Sequence, residues 1–177
     1  MVLKYENIKI VIESDTIHFP NGYFFKQSEV NRIKKIESKN ITEFNLETFP
    51  PSLVYNENEI IFLKHELKSE IEKFAAHNEI PIIERLDIWE HINHPFLDTE
   101  FNENEKAAAL QLLADHGISK IKLGKIRKKA AKTMFLNLFV WEWIYLGLFD
   151  YLSWTFLTKK KYWWAMEIGL RNSRNTT

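Results

Sequence analysis

The chain has no cysteine, and only five glycines and five prolines in 177 residues. Disulfides and thiolate-bound metals are therefore excluded as the source of its stability. The fold must rest on buried apolar surface, for which 45% hydrophobic residues are ample. So little Gly and Pro also excludes collagen-like, mucin-like and mostly disordered chains. There is no net charge: 24 Lys and Arg stand against 24 Asp and Glu. The first residues, MVLKYENIKIVIES, lack the continuous apolar run of a signal peptide and carry Glu6 and Glu13 in an alternating pattern. With the absent cysteines, this makes the cytoplasm the expected location.

The usual marks of catalysis are missing too. The glycines are isolated at positions 22, 117, 124, 147 and 169, so there is no Gly-rich phosphate loop and no GxSxG elbow. No HExxH or ExxH pair occurs, nothing nominates a nucleophile, and no cofactor is expected.

What the chain does have is aromatic mass, with 6 Trp, 6 Tyr and 13 Phe, and a segregation of charge along its length. Residues 1–100 hold 11 basic and 18 acidic groups, and residues 101–177 hold 13 and 6. The expected organisation is an acidic α/β part, 1–101, and a basic helical part, 102–177, packed together as one compact unit. Such a split points either to mutual docking of the halves or to an acidic partner for the second.

Ile8, Ile10 and Ile12 alternate with polar residues, as in a strand. Thr16–Phe19 and Tyr23–Lys26 flank Asn21-Gly22, a pair suited to a type I′ hairpin turn, so three antiparallel strands are expected. Ser28 is a candidate cap for a short helix reaching Ile36, burying Val30, Ile33 and Ile36. Residues 38–52 end in Pro50-Pro51 and read as an internal boundary. The apolar run Glu59–His65, the amphipathic ELKSEIEKFAAH with Leu67, Ile71, Phe74 and Ala75 on one face, and the β-branched Ile80–Ile83 form a βαβ-like unit, right-handed by the usual rule. A helix over Leu86–Ile92 should stop before Pro95.

In the second half, KAAALQLLADHG predicts a helix over about 103–115, with Asn102 and Glu105 as a capping-box-like start and Gly117 as its C′ residue. Ser119 opens a Lys-rich helix. Met134–Leu157 is an aromatic run of 24 residues, about 36 Å long if helical at about 1.5 Å per residue. Asn137, Glu142 and Asp150 interrupt it, and a charge at mid-bilayer costs about 3 kcal/mol. Glu142, Asp150 and Ser153 share a narrow polar stripe, which suits a central helix wrapped by other elements or buried at an oligomer interface rather than a membrane span. The expected class is thus α+β: a small N-terminal antiparallel meander and a βαβ-like unit, followed by an aromatic-rich C-terminal helical region.

Three constellations bear on function. Residues 107–132 lay out a helix, a turn at Gly117-Ile118 and a basic helix bearing Lys120, Lys122, Lys125, Arg127, Lys128, Lys129 and Lys132, the pattern of a helix-turn-helix that brings cations onto nucleic-acid phosphates. The plainer reading is a helical hairpin whose basic face is solvated or pairs with the acidic half, and an anionic membrane surface is a third. Trp141, Trp143, Trp154, Trp163 and Trp164 read as core or interface anchors rather than a base-stacking platform. In DIWEHINHPFLD, Asp87 and His91 at i, i+4, with His94, Glu90 and Asp98 near, are weak candidates for a metal, with two surface or capping histidines as the plainer reading. Glu84, Arg85 and Asp87 offer the only hint of a Mg²⁺-dependent nuclease core. On balance the chain reads as a non-enzymatic intracellular binding or interaction protein, a component of an oligomer or larger assembly, whose partner is a protein or another copy of itself. Nucleic-acid binding through the basic segment and a His/carboxylate metal-dependent enzyme are the alternatives, with peripheral membrane contact a further partner class.

Overall fold

A computed structural model describes residues 8–93, 103–134 and 146–171, with side chains described as far as residue 131 in the middle stretch. The chain divides into two compact units, one of residues 1–85 and 158–166, the other of residues 86–157 and 167–177.

The first unit holds two three-stranded antiparallel sheets. In the first sheet β1 (Val11–Ile12) pairs with β2 (Thr16–His18), and β2 with β3 (Lys35–Glu37). Between β2 and β3 lies helix α1 (Glu29–Ile33), capped by the Ser28 hydroxyl, which accepts the Val30 N–H at 3.0 Å. The cap is where the sequence puts it, but the helix stops at Ile33 because Lys34 takes a left-handed φ of 58°. Ile36 is buried as a strand residue instead, opposite Ile17.

Tyr23–Lys26 does not form the expected third strand. Gly22, at φ +82°, closes a tight turn by donating its N–H to the Phe19 carbonyl. The Tyr23 N–H then goes to Asn31 Oδ1 at 3.0 Å rather than to β2. Tyr23 and Phe25 are both buried, packed edge-on with Phe19 and Phe62, so aromatic burial wins over strand pairing here. The third strand comes from β3.

The second sheet runs β4 (Ile41–Asn45), β5 (Ser52–Tyr55), β6 (Glu59–Phe62), with Phe44 opposite Leu53 and Leu53 opposite Ile61. The stretch 38–52 is therefore no boundary: it supplies strand β4, and its proline pair, with a cis Phe49–Pro50 peptide, turns the chain into β5. After β6, helix α2 (Lys68–His77) buries Ile71, Phe74 and Ala75, and the chain returns parallel to β4. There Phe44 donates to the Pro81 carbonyl at 2.9 Å and accepts from the Ile83 N–H at 2.8 Å. This is the βαβ-like unit, with the second strand reduced to a single bridge between Phe44 and Ile82.

Strand β6 is an edge strand with every residue buried. Side chains take its outward amides: the Ile60 N–H meets the Met166 sulfur at 3.3 Å and the Phe62 N–H donates to the Tyr23 hydroxyl at 2.8 Å. Closing an edge in this way removes a template for aggregation.

The second unit is helical: α3 (Ile88–Asn93), α4 (Glu103–Asp115), α5 (Lys120–Met134) and α6 (Leu148–Trp154), with the end of α7 (Lys159–Gly169). Short α3 packs against α4, α5 and α6. Its Trp89 has no exposed surface and stacks on Tyr151 of α6, ring centres 4.2 Å apart and planes 16° off parallel. The aromatic run 134–157 is not one continuous helix. Gly147 is extended, and α6 starts afresh after it because two carboxylates hold its first amides: Asp150 accepts the Gly147 N–H at 3.1 Å and Asp87 the Leu148 N–H at 2.8 Å. Asp150 is thus a helix cap; Glu142, the other acid of the expected polar stripe, lies outside the described residues. No helix among the described residues is long and apolar enough to cross a membrane.

Counted by unit, the charge split along the sequence vanishes: the first unit carries 14 basic and 14 acidic side chains, the second 10 and 10. The remaining asymmetry lies inside the second unit. There, Leu86–Asp115 holds seven of the ten acids, and His116–Thr133 holds seven Lys and Arg and no acid.

Candidate functional site

The end of α4 shows why the basic helix stands where it does. Gly117, at φ +71°, donates to the Ala114 carbonyl at 2.9 Å, and Ile118 to that of Leu113 at 2.9 Å, the paired bonds of a Schellman motif. Leu113 and Ile118 are both buried, as that motif favours. Arg171 adds a bond to the Gly117 carbonyl at 3.0 Å. Ser119 then caps α5, its hydroxyl accepting the Lys122 N–H at 3.4 Å and its carbonyl the Leu123 N–H at 2.8 Å. A glycine stop, one buried residue and a serine start make the helix, turn, helix order expected from the sequence.

Helix α5 buries Leu123, Ile126 and Ala130, which follow one another at helical spacing. Arg127 sits beside them, half-buried, and reaches back to the end of α3: Nε donates to the Ile92 carbonyl at 3.0 Å and Nη2 to that of His91 at 3.2 Å. It satisfies helix-end carbonyls that nothing in α3 itself can. Burial lowers its pKa from the usual guanidinium range. The only arginine in the predicted phosphate-binding set is therefore occupied inside the fold.

The opposite face carries Lys120, Ile121, Lys122, Gly124, Lys125, Lys128 and Lys129, all exposed, Ile121 at 76%. Lys120, Lys122, Lys125 and Lys128 enter no ion pair among the described residues. At Gly124 an added Cβ would meet nothing within 4 Å, so the face is open at its middle. Lys132 lies on the same helix, and its side chain is outside the described residues.

Of the metal constellation, Asp87, Glu90 and His91 lie within the described residues. Asp87 Oδ1 accepts the Trp89 N–H at 3.0 Å while Oδ2 takes the Leu148 N–H, so both carboxylate oxygens serve helix starts. His91 is half-buried, and its carbonyl is held by Arg127; His94 and Asp98 lie outside the described residues. Among the described residues no group of three or more His, Asp and Glu is placed to hold a metal. The carboxyls that do gather here perturb one another. Burial raises Asp150 to about 6, opposed by the Gly147 N–H and assisted by Asp87; burial and Asp87 also raise Glu90. Of the nuclease-like trio, Glu84 is exposed, and Arg85 is buried beside Glu43 and Ser52.

Of the tryptophans, Trp154, Trp163 and Trp164 are half-exposed, and Trp141 and Trp143 lie outside the described residues.

Two buried polar groupings in the first unit were not foreseen. The Glu59 carboxylate accepts the Tyr162 hydroxyl of α7 at 2.6 Å, with no exposed surface on either residue. Burial pushes Glu59 up, against the Ser28 and Tyr162 hydroxyls, and burial together with Glu59 pushes the Tyr162 phenol well above its ordinary value. Arg85 Nε lies 3.4 Å from Glu43 Oε1, Arg85 Nη2 donates to the Ser52 hydroxyl at 2.9 Å, and Asn45 Nδ2 donates to the Arg85 carbonyl at 2.7 Å. Burial raises Glu43 and Arg85 opposes the rise. Glu59 reads from the sequence as an ordinary strand polar residue and Glu43 lies in the stretch that reads as a boundary, so no spacing distinguishes either from solvent-facing residues. Both groupings tie strand to helix or loop within the core and present no open surface to a substrate.

No family model, curated protein or solved structure matches the chain.

Proposed function

We propose that the protein is a non-enzymatic binding protein whose binding element is the lysine face of α5, and that its ligand is a nucleic acid held by its phosphates. The observation that carries this reading is the division of labour on one helix. Arg127 is turned inward onto α3, whereas Lys120, Lys122, Lys125 and Lys128 stand exposed and outside any ion pair among the described residues. Clustered cations without internal partners attract a polyanion, and lysine meets phosphate as a point charge rather than reading base edges.

The reading is tested by fluorescence anisotropy with a labelled nucleic acid across a salt series. Four phosphate contacts correspond to a log–log slope of about −3.6, or roughly a hundredfold weakening between 50 and 200 mM salt. Lys125→Glu with Lys128→Glu should abolish binding while leaving the circular dichroism spectrum unchanged. Salt-independent binding, or none to any nucleic acid, would reject the reading.

Self-association through the aromatic helices is the second reading, supported by the half-exposed Trp154, Trp163 and Trp164. Light scattering on the same samples separates the two. A stable oligomer free of nucleic acid, in which those tryptophans are shielded from a quencher, favours self-association.

A further inference from the structure

We infer that the nucleic acid is double-stranded B-form DNA, engaged across its major groove by the Lys120–Lys128 stretch of α5 with little base preference. The inference rests on the nucleic-acid reading above and names the ligand class of the same site. Three features of the face select this ligand. The first is what stands among the lysines. No residue from Lys120 to Ala131 is aromatic, and single-strand binders rely on aromatic side chains to stack successive bases. The aromatic residues of the described second unit are Trp89 on α3, Phe149, Tyr151 and Trp154 on α6, and exposed Phe156 just beyond α6, none of them on α5, and Trp89 and Tyr151 are stacked on each other in its core.

The second feature is shape. Lys120 and Lys128 stand four residues to either side of Gly124, about 12 Å apart along the axis at about 1.5 Å per residue. The major groove of B-form DNA is about 12 Å wide and admits a helix. The A-form groove of duplex RNA is deep and too narrow for side chains to read. Gly124 thins the helix at the midpoint of that stretch, where nothing lies within 4 Å of a would-be Cβ, so the axis can come closest to the groove at that level. Among the described residues no packing contact requires glycine there.

The third is the absence of base-reading groups. The exposed residues of the described stretch are five lysines, one isoleucine and one glycine, with no Arg, Asn, Gln, Ser or Thr among them. Backbone phosphates are left as the main contact, so affinity depends on salt more than on sequence. A lipid surface is less well matched, because the apolar stripe of Leu123, Ile126 and Ala130 that would have to enter a bilayer is buried in the unit, leaving Ile121 alone outside.

The full chain is titrated against labelled duplex DNA, duplex RNA and single-stranded DNA of equal length at one salt concentration. Two unrelated duplex sequences are included, with phosphatidylserine vesicles as a further arm. Duplex DNA should bind about tenfold or more tightly than the other nucleic acids, and the two duplexes should agree within about threefold, as expected for backbone contact. Gly124→Leu, at an exposed helical position where leucine is the better helix former, should weaken duplex DNA binding about tenfold and leave the salt slope unchanged. Equal or tighter binding of single strands or RNA, or an unaffected Gly124→Leu variant, overturns this inference and leaves the nucleic-acid reading standing. No binding to any nucleic acid, with or without binding to vesicles, overturns both.

Discussion

The first unit puts its buried polar groups between strands and the segments that cover them. Arg85 spans Glu43 and Ser52 on neighbouring strands, Tyr162 of α7 reaches Glu59 on β6, and Tyr23 and Met166 close the β6 edge. The second unit puts its polar groups at helix ends. Asp87 and Asp150 start α3 and α6, Arg127 finishes α3, and Ser119 starts α5. Buried polar bonds specify which segments pair in the first case, and where helices begin and stop in the second. The difference has a functional corollary: a unit that uses Asp87, Asp150, Arg127 and Ser119 at helix ends leaves the outer face of a long helix to its lysines.

That contrast can be broken or sharpened by substitution. The largest effects are expected at the two cores. Trp89→Ala removes a fully buried indole and its stack on Tyr151, and should cost about 3–5 kcal/mol. Hydrogen exchange should localise the lost protection to residues 86–157; equal loss across residues 8–85 would mean the two units are not energetically separable. Arg85→Met leaves the Glu43 carboxylate buried without its cation, which costs about 3–5 kcal/mol in comparable buried pairs, and Glu43→Leu in the same chain should restore much of that. Urea denaturation of the two single variants and the double variant measures the coupling. Additive losses would show that the pair does not act as a unit.

A smaller effect concerns pH. The folded Asp150 carboxyl titrates at about 6, above its ordinary 3.8, so the folded state holds this proton more tightly than the unfolded chain. Its contribution therefore makes the protein more stable as pH falls from about 6 towards 4, by up to about 3 kcal/mol. The gain fades as pH rises through 6. Asp150→Asn, which keeps an acceptor for the Gly147 N–H, should flatten that part of the stability–pH curve. A wild-type curve already flat between pH 4 and 6 would remove Asp150 from the account. The smallest expected change is a gain. Gly124→Ala, in open space mid-helix, should stabilise α5 by about 1 kcal/mol, read as a higher thermal midpoint.

How far the sequence discloses this molecule depends on whether the deciding interaction is local. The stop at Gly117, the cap at Ser119 and the apolar face of α2 each depend on residues within one or two turns, and they are legible. The lysine face is legible for the same reason, though the removal of Arg127 from it depends on carbonyls 35 and 36 residues away. Tyr23–Lys26 has the alternation of a strand, but Tyr23 is held by Asn31 and Phe62, and no window centred on the turn contains the Phe62 contact. The aromatic run 134–157 reads as one helix because its composition is uniform. Its break at Gly147 becomes intelligible only once Asp87, 61 residues earlier, is seen to accept the Leu148 N–H. The charge split misleads in a similar way, since spatial grouping moves the lysine run 159–161 into the first unit and Asp87 and Glu90 into the second.

Helix α7 contributes Tyr162, Ala165 and Met166 to the first unit, and all three are buried there. On the ribosome those residues emerge only after every helix from α3 to α6 has been made. Until then Glu59 has no phenol to bind and the β6 edge no Met166 to cover the Ile60 amide. The part of the chain that is synthesised first thus waits for almost the whole chain, and during elongation it carries an unsealed strand and an acid without its phenol partner. The nascent sheet is therefore the stage most exposed to misassociation and most in need of chaperone protection, while the helical unit in turn waits for residues 167–171.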